Sequence, residues 1–365
     1  MRILLISNMY PDKEHPGFGV FVKHTENILN NEGFIIDKVV RYKKNNIFSK
    51  LFDYLIFYLK IFFKGLFKRY DVFYIHFAAH PSIPVLFVKF FNKKVKVITN
   101  VHGTDVVPEN KIHELFQIFV DRLLNISECI IAPSDYFKDL VSKQYNIPKD
   151  KIKTFPSGGI SKEIFYPIEN KKEIFKKLNL DSNLQYLGYV GRIEYGKGWD
   201  TFLESLRDLK EEMLLENKKV IFVGYGDQLN LFHEKVKNLG LQDTVIHFKY
   251  MQQSELNLVY NILDFFCFPT ERKGESLGLV GIEAMACGTP VIGSRIAGLQ
   301  SYIENGHNGY LFEPKSKKEL GLAIRKYYSL NKETINKLKI NSFKTSQRYE
   351  KANIKGVLSN IFKNV

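Results

Sequence analysis

Two carboxylates, Glu275 and Glu283, bracket the start of the stretch GESLGLVGIEAMACGTPVIG, residues 274–293. A run of small residues suited to a closely packed helix follows, then a buried strand. A helix start near Ser276–Gly278 puts Glu275 just outside the helix and Glu283 one to two turns inside it. The amides of Leu277, Gly278 and Leu279 then face an anion, as the first N–H groups of a helix do. A carboxylate accepts from two hydroxyls at once. Two of them beside a nest of amides suit a ligand with both phosphates and vicinal diols, and a nucleoside-diphosphate sugar is such a ligand.

Other chemistry-bearing loops follow predicted strands. In Gly191-Arg192-Ile193-Glu194-Tyr195-Gly196-Lys197-Gly198 the spacing of Gly191, Gly196 and Lys197 is that of a P-loop, but Gly198 stands where Ser or Thr would hold magnesium. The loop therefore reads as a diphosphate site without a metal ligand, in which Arg192 and Lys197 supply charge-assisted donors beside a helix start. No Asp-x-Asp occurs, and neither a metal nor a cofactor is expected. Gly17-Phe18-Gly19 opens a helix after the first strand and can present N–H groups to phosphate; Val22 breaks the G-x-G-x-x-G fingerprint. His102, Gly103 and Asp105 lie together at the end of the fourth predicted strand, where they would face a ligand cleft.

The elements that position these loops are legible as alternating patterns. Strands are predicted at Ile3–Ser7, Ile35–Val40, Val72–Phe77, Val95–Val101, Cys129–Ser134 and Ile152–Pro156, with helical stretches between them. After the charged segment Glu169–Leu178 the rhythm restarts at Tyr186–Gly191, Lys219–Gly224, Val245–Phe248, Phe265–Pro269 and Pro290–Ser294. Strand, helix, strand in this order predicts two α/β units with parallel, doubly wound sheets. Ligands of such sheets collect at the carboxyl ends of strands. The expected division is 1–168, 169–345, and a final helical segment, 346–365, returning to the first unit.

The chain has 365 residues and a formal net charge of +14, from 53 Lys and Arg against 39 Asp and Glu. That balance suits an anionic partner. No nucleic-acid motif or aromatic-basic platform accompanies it, so no nucleic-acid partner is expected. The cysteines, Cys129, Cys267 and Cys287, are far apart and in apolar contexts, which reads as reduced thiols in a cytoplasmic protein. Ile47–Phe67 is long enough to span a bilayer but contains Lys50, Asp53, Lys60 and Lys64, at helical spacing on one side. An interfacial helix on an anionic membrane face fits it better than a span.

These motifs, in this order, resemble the family-4 retaining glycosyltransferases of the GT-B fold, two Rossmann-like domains about a central cleft. The resemblance runs over nearly the whole chain and is carried most specifically by the two glutamates followed by Glu-Ala-Met-Ala-Cys-Gly-Thr-Pro-Val-Ile. It implies that Arg192 and Lys197 bind the donor diphosphate and that Glu283 holds the ribose. Glu275 would contact the transferred sugar, helped by Ser276, Leu277, Gly278 and Leu279. It also implies that His102 approaches the donor sugar, that Gly17 and Gly19 lie by the phosphates or acceptor, and that Gly103 and Asp105 stand on the acceptor side. Transfer would use no metal, the leaving diphosphate helping to deprotonate the acceptor. The nearest likeness is to bacterial enzymes of capsule, O-antigen (lipopolysaccharide) and teichuronic acid assembly. Such enzymes use UDP- or GDP-sugars and lipid-diphosphate-linked glycan acceptors at the inner face of the membrane. A transferase with a small soluble acceptor is the alternative that the sequence leaves open.

Overall fold

The structure is a computed structural model that describes residues 1–15, 17–44 and 46–365, without the Ile47 side chain. It divides into two units, Met1–Gly158 with Ala352–Val365, and Gly159–Lys351.

The N-terminal unit alternates strand and helix: β1 (Arg2–Ser7), α1 (Val20–Asn31), β2 (Ile35–Val40), α2 (Ile47–Phe67), β3 (Val72–His76), α3 (Ser82–Phe91), β4 (Lys96–Asn100), α4 (Lys111–Ile126), β5 (Cys129–Ala132), α5 (Asp135–Gln144) and β6 (Ile152–Thr154). The strands pair in parallel in the order β2-β1-β3-β4-β5-β6. Ile3, Leu4, Leu5 and Ile6 are all fully buried, as a central parallel strand covered on both faces requires. The chain steps from β1 to β2, then crosses back to place β3 on the other side of β1. That reversal makes the carboxyl ends of β1 and β3 the natural ligand crevice of this sheet.

The C-terminal unit repeats the plan: α6 (Lys172–Leu178), β7 (Gln185–Val190), α7 (Trp199–Glu211), β8 (Lys218–Val223), α8 (Leu229–Asn238), β9 (Val245–Phe248), α9 (Gln253–Ile262), β10 (Leu263–Phe268), α10 (Leu279–Ala286), β11 (Val291–Ser294), β12 (Gly309–Phe312), α11 (Lys317–Tyr328) and α12 (Lys332–Gln347). Its parallel order is β12-β11-β10-β7-β8-β9. Leu187 and Tyr189 join the core on one face of the sheet, Tyr186 and Val190 the core on the other. The reversal point here lies between β7 and β10. Both sheets are parallel and wound with helices, as the alternating sequence pattern predicts.

Two boundaries differ from the sequence reading. Residues 159–168 fold with the C-terminal unit: Ile160 pairs with Glu350, and the Tyr166 and Ile168 amides donate to Asn257 and Asn261 side chains of α9. The return to the N-terminal unit begins at Ala352 rather than at 346, and the last helix, α13 (Lys351–Lys363), packs Ile354, Leu358, Ile361 and Phe362 into that unit's core.

α2 also departs from expectation. Its charges do not share one outward side. Asp53 pairs with Arg41 at 2.7 Å and Lys64 with Asp37 at 2.6 Å, beside the buried Phe57 and Ile61. Phe48, Leu51, Phe52, Leu55, Leu59, Phe63 and Phe67 are exposed instead, Phe48 by 78%. The reason is local: Asp37 on β2 draws Lys64 of α2 toward the sheet, and Asp53 of α2 turns to Arg41 after β2, which leaves the apolar stripe outward.

Candidate active site

The loops after β7 and β10 meet at the reversal point of the C-terminal sheet. The Glu271 amide donates to the Gly196 carbonyl at 2.8 Å, and the Thr201 hydroxyl donates to Glu271 Oε1 at 3.0 Å. Gly198, the residue before α7, has φ 68°, and a Cβ there would lie 1.8 Å from the Pro269 carbonyl oxygen. The departure from the P-loop pattern is thus steric: the two loops are too close for a serine. Gly198→Ser is expected to destabilise the protein by on the order of 3 kcal/mol, from the clash and the left-handed backbone together. Thermal unfolding with an unchanged midpoint would refute the close approach.

That approach brings Lys197 to Glu275. Lys197 Nζ stands 2.8 Å from Glu275 Oε2, and the Thr270 hydroxyl donates to the same oxygen at 2.9 Å. Both members of the pair are largely buried, about 15% exposed. Burial by itself would raise the Glu275 pKa. The Lys197 charge and its hydrogen bond, with help from Thr270 and Arg272, bring it below the usual value. Glu275 is therefore an ionised acceptor held at the foot of α10.

α10 begins at Leu279, with Gly278 as a left-handed cap at φ 77°; a Cβ on Gly278 would strike the Phe268 ring at 2.6 Å. Leu277 is buried, and the Ser276 hydroxyl is buried with no hydrogen-bond partner among the described residues. Glu283 is the fifth residue of α10, buried, with Tyr260 donating to its Oε2 at 3.3 Å. Burial pushes its carboxyl up to about 7; the Tyr260 bond and the Lys351 charge offset only part of that. Two carboxylates, one before the start of α10 and one about a turn inside it, are thus tuned in opposite directions. Arg192 stays outside this cluster: it is exposed and paired with Glu194 at 2.8 Å, a contact that costs little to exchange for a phosphate. Among the described residues no group of three His, Cys, Asp or Glu could hold a metal ion.

In the N-terminal unit Gly19 and Gly17 separate. Gly19 has φ 72° and its missing Cβ would meet Met9 backbone atoms at 2.6 Å, whereas a side chain on Gly17 would meet nothing within 4 Å. Gly19 lets the loop after β1 fold tightly over the start of α1; Gly17 is exposed and has no such duty.

His102 lies at the end of β4 with Gly103 buried beside it. Asp105, read from the sequence as facing an acceptor, is fully buried and cannot do so. Its carboxylate accepts from the Ala78 and His102 amides, both at 2.9 Å. Burial pushes its pKa up to about 6 against the pull of those amides. Its work is to tie the β3 and β4 loops together.

The His102 ring meets a second histidine that the sequence reading missed. His76 Nδ1 is 3.0 Å from His102 Nε2, and His76 Nε2 is 3.1 Å from the Thr25 hydroxyl, which donates to the Val22 carbonyl. Thr25 therefore accepts from His76 Nε2–H, and His76 Nδ1 accepts from His102 Nε2–H. The outer nitrogen of His102, Nδ1, is left without a proton. Burial holds both rings neutral, with His102 pushed down to about 3 and His76 lowered further by its neighbour. The signal was available: His76 closes its strand as His102 closes the next. Also missed was the turn Gly224-Tyr225-Gly226 after β8, where a Cβ on Gly224 would lie 1.8 Å from the Gly191 carbonyl. A glycine pair directly after a strand marks such an approach.

Family models match both units. The one described as "Glycosyltransferase Family 4" covers residues 18–158, and the one described as "Glycosyl transferases group 1" covers residues 170–345. The chain belongs to glycosyltransferase family 4. Among curated relatives of this family-4 glycosyltransferase, an N-acetyl-alpha-D-glucosaminyl L-malate synthase of Bacillus anthracis is 24% identical over 67% of this chain and 62% of that one. An alpha-monoglucosyldiacylglycerol synthase of Streptococcus pneumoniae is 28% identical over 67% and 57%. The chain thus spans less than two thirds of the length of these relatives. Among solved structures, the Anabaena protein HepE in complex with UDP-glucose shares the fold with a TM-score of 0.76, over all of both chains at 16% identity.

Proposed function

We propose that the protein is a retaining, metal-independent glycosyltransferase. It moves a sugar from a UDP- or GDP-linked donor to a glycan or lipid-linked glycan acceptor in bacterial surface polysaccharide assembly. The observation that carries this is the grouping at the β7–β10 reversal point: a buried cation, an ionised carboxylate and a helix start, with a second buried carboxylate one turn into the helix. Lys197, Arg192 and the first amides of α10, with Ser276, take the diphosphate and the negative charge that grows on it as the glycosidic bond breaks. Glu275 accepts from hydroxyls of the transferred sugar and Glu283 from the ribose. The acceptor engages the strand ends of the N-terminal unit, where Gly19 shapes the loop after β1 and His102 offers an unprotonated Nδ1.

The N-terminal unit also supports a place on the inner face of the cell membrane. Exposed Phe90 and Phe91 of α3 and Leu115 of α4 extend the apolar surface of α2, and Lys93 and Lys94 follow α3. An apolar face flanked by lysines matches an anionic bilayer surface. Among the described residues no helix is long and apolar enough to cross it. The test is transfer of labelled sugar to bacterial membrane lipids with each donor. Label in a lipid-extractable product, reduced at least about tenfold by Phe48→Ser with Phe52→Ser, is expected. Equal transfer to water-soluble acceptors by both proteins would instead favour the soluble-acceptor reading.

A further inference from the structure

A cavity of about 440 Å³ lies at the carboxyl ends of β1, β2 and β3 in the N-terminal unit. Asn8 enters it after β1, Arg41 directly after β2 and His80 after β3; Lys43, Lys44 and Lys50 line it too, and among the described residues no Asp or Glu does. Arg41 is fixed in place: its Nε donates to Asp53 at 2.7 Å, and its guanidinium sits 3.4 Å over the Tyr54 ring. Asp53 offsets that one charge. Among the described residues Lys43, Lys44 and Lys50 have no acidic partner, so the cavity keeps a strong positive excess.

Two of its polar atoms are unpartnered. Among the described residues nothing bonds the buried Asn8 Oδ1 and His113 Nδ1, and Asn8 is only 6% exposed. Buried polar groups without partners are uncommon and costly unless a ligand supplies the bond. Asn8 Oδ1 only accepts, so it takes a hydroxyl of the ligand, while His113 Nδ1, in the tautomer that carries its proton, donates to a phosphoryl oxygen. Lys50 shares the first turns of α2 with exposed Phe48, Leu51 and Phe52. Cationic cavity and apolar stripe therefore adjoin, as an amphiphile with an anionic head demands.

We infer that this cavity seats the phosphate or diphosphate of a lipid-borne acceptor, whose hydrocarbon chain runs along the outward face of α2. The word acceptor rests on the transfer reaction proposed above, but the binding is measured without that reaction. The probe is flotation with phosphatidylcholine vesicles, plain or doped with a few mole per cent of a polyprenyl diphosphate, with inorganic pyrophosphate as competitor. Wild-type protein is expected to bind the doped vesicles at least about tenfold more tightly than the plain ones. The triple variant Lys43→Ser, Lys44→Ser, Lys50→Ser should lose that preference, and Asn8→Asp should weaken it by placing a carboxylate in the cavity. A charge-matched control away from this face, Lys143→Ser, Lys176→Ser, Lys177→Ser, should keep it. Equal loss in the control, or no preference in the wild type, would overturn the inference. Pyrophosphate binding as tight as that of the doped vesicles would overturn the lipid source and assign a soluble phosphate ester. Melting temperature and donor-induced stabilisation, read in parallel, show that each variant is folded. Failure of the donor to bind while the vesicle preference persists would remove the transferase reading and leave the cavity's ligand standing.

Discussion

Lys197→Met is expected to lower turnover by about 10²–10³-fold, because it removes a buried cation where leaving-group charge develops. The same change should lower stability by about 3–5 kcal/mol, since Glu275 would then be a buried carboxylate without its partner. These two effects have different cures. Adding Glu275→Gln to Lys197→Met removes the stranded charge, so stability should recover in large part while turnover stays low. Melting temperatures and kcat for the two single variants and the double complete the cycle. A double variant no more stable than Lys197→Met would show that the pair contributes little to the fold. Unchanged turnover in Lys197→Met would show that the cation is structural alone. Exposed Arg192, by contrast, can be altered at little cost in stability.

Much of this pairing was hidden in the sequence. Lys197 and Glu275 were each legible as ligand contacts from the loops that carry them. That they bind one another depends on β7 and β10 being neighbours, and strand order is not written in local periodicity. Glycines carried more than expected: Gly198 and Gly224 each record a backbone passing within reach of a missing Cβ. The strands themselves were plain, because fully buried parallel strands read as short apolar runs. Strand β12 and helix α6 escaped. In β12 only Gly309–Phe312 remain after a long turn, and α6 lies in the charged segment Glu169–Leu178, where Ile174 is the one residue of the helix that is buried. Asp105 illustrates the opposite error. An acid at a strand end has the composition of a site residue, and only its burial shows that it bonds the neighbouring backbone instead. For α2, hydrophobic spacing found the helix, but the acids that turn Arg41 and Lys64 inward sit on other turns of the chain or lie across its own face.

Donor affinity should depend on pH through Glu283. In the ligand-free protein its carboxyl titrates near 7, raised from an ordinary 4.5 by burial. The ionised form is therefore disfavoured by folding, and the sign follows. Stability carries no penalty below the unfolded value, falls as pH rises from about 4.5 to 7, and is level above that. Two ribose hydroxyls donating to the carboxylate favour the ionised form, so donor binding releases a proton below pH 7. Affinity for a sugar nucleotide should rise with pH up to about 7 and then level off, the diphosphate diester itself being fully ionised throughout. Glu283→Gln should flatten both profiles and weaken donor binding by about 2–4 kcal/mol, the loss of two buried charge-assisted bonds. Retained wild-type affinity in the glutamine variant would remove the ribose role, and an unaltered pH profile would place the titrating group elsewhere.

The central claim is that the β7–β10 reversal point holds a sugar nucleotide on protein groups alone. Calorimetric titration of the whole protein with UDP-, GDP-, ADP- and TDP-sugars in EDTA, repeated with Glu283→Gln, tests it most directly. The account predicts saturable binding of one nucleotide sugar that survives EDTA and weakens by the stated amount in the variant. Binding that appears only when magnesium is restored, or that Glu283→Gln leaves intact, would contradict it.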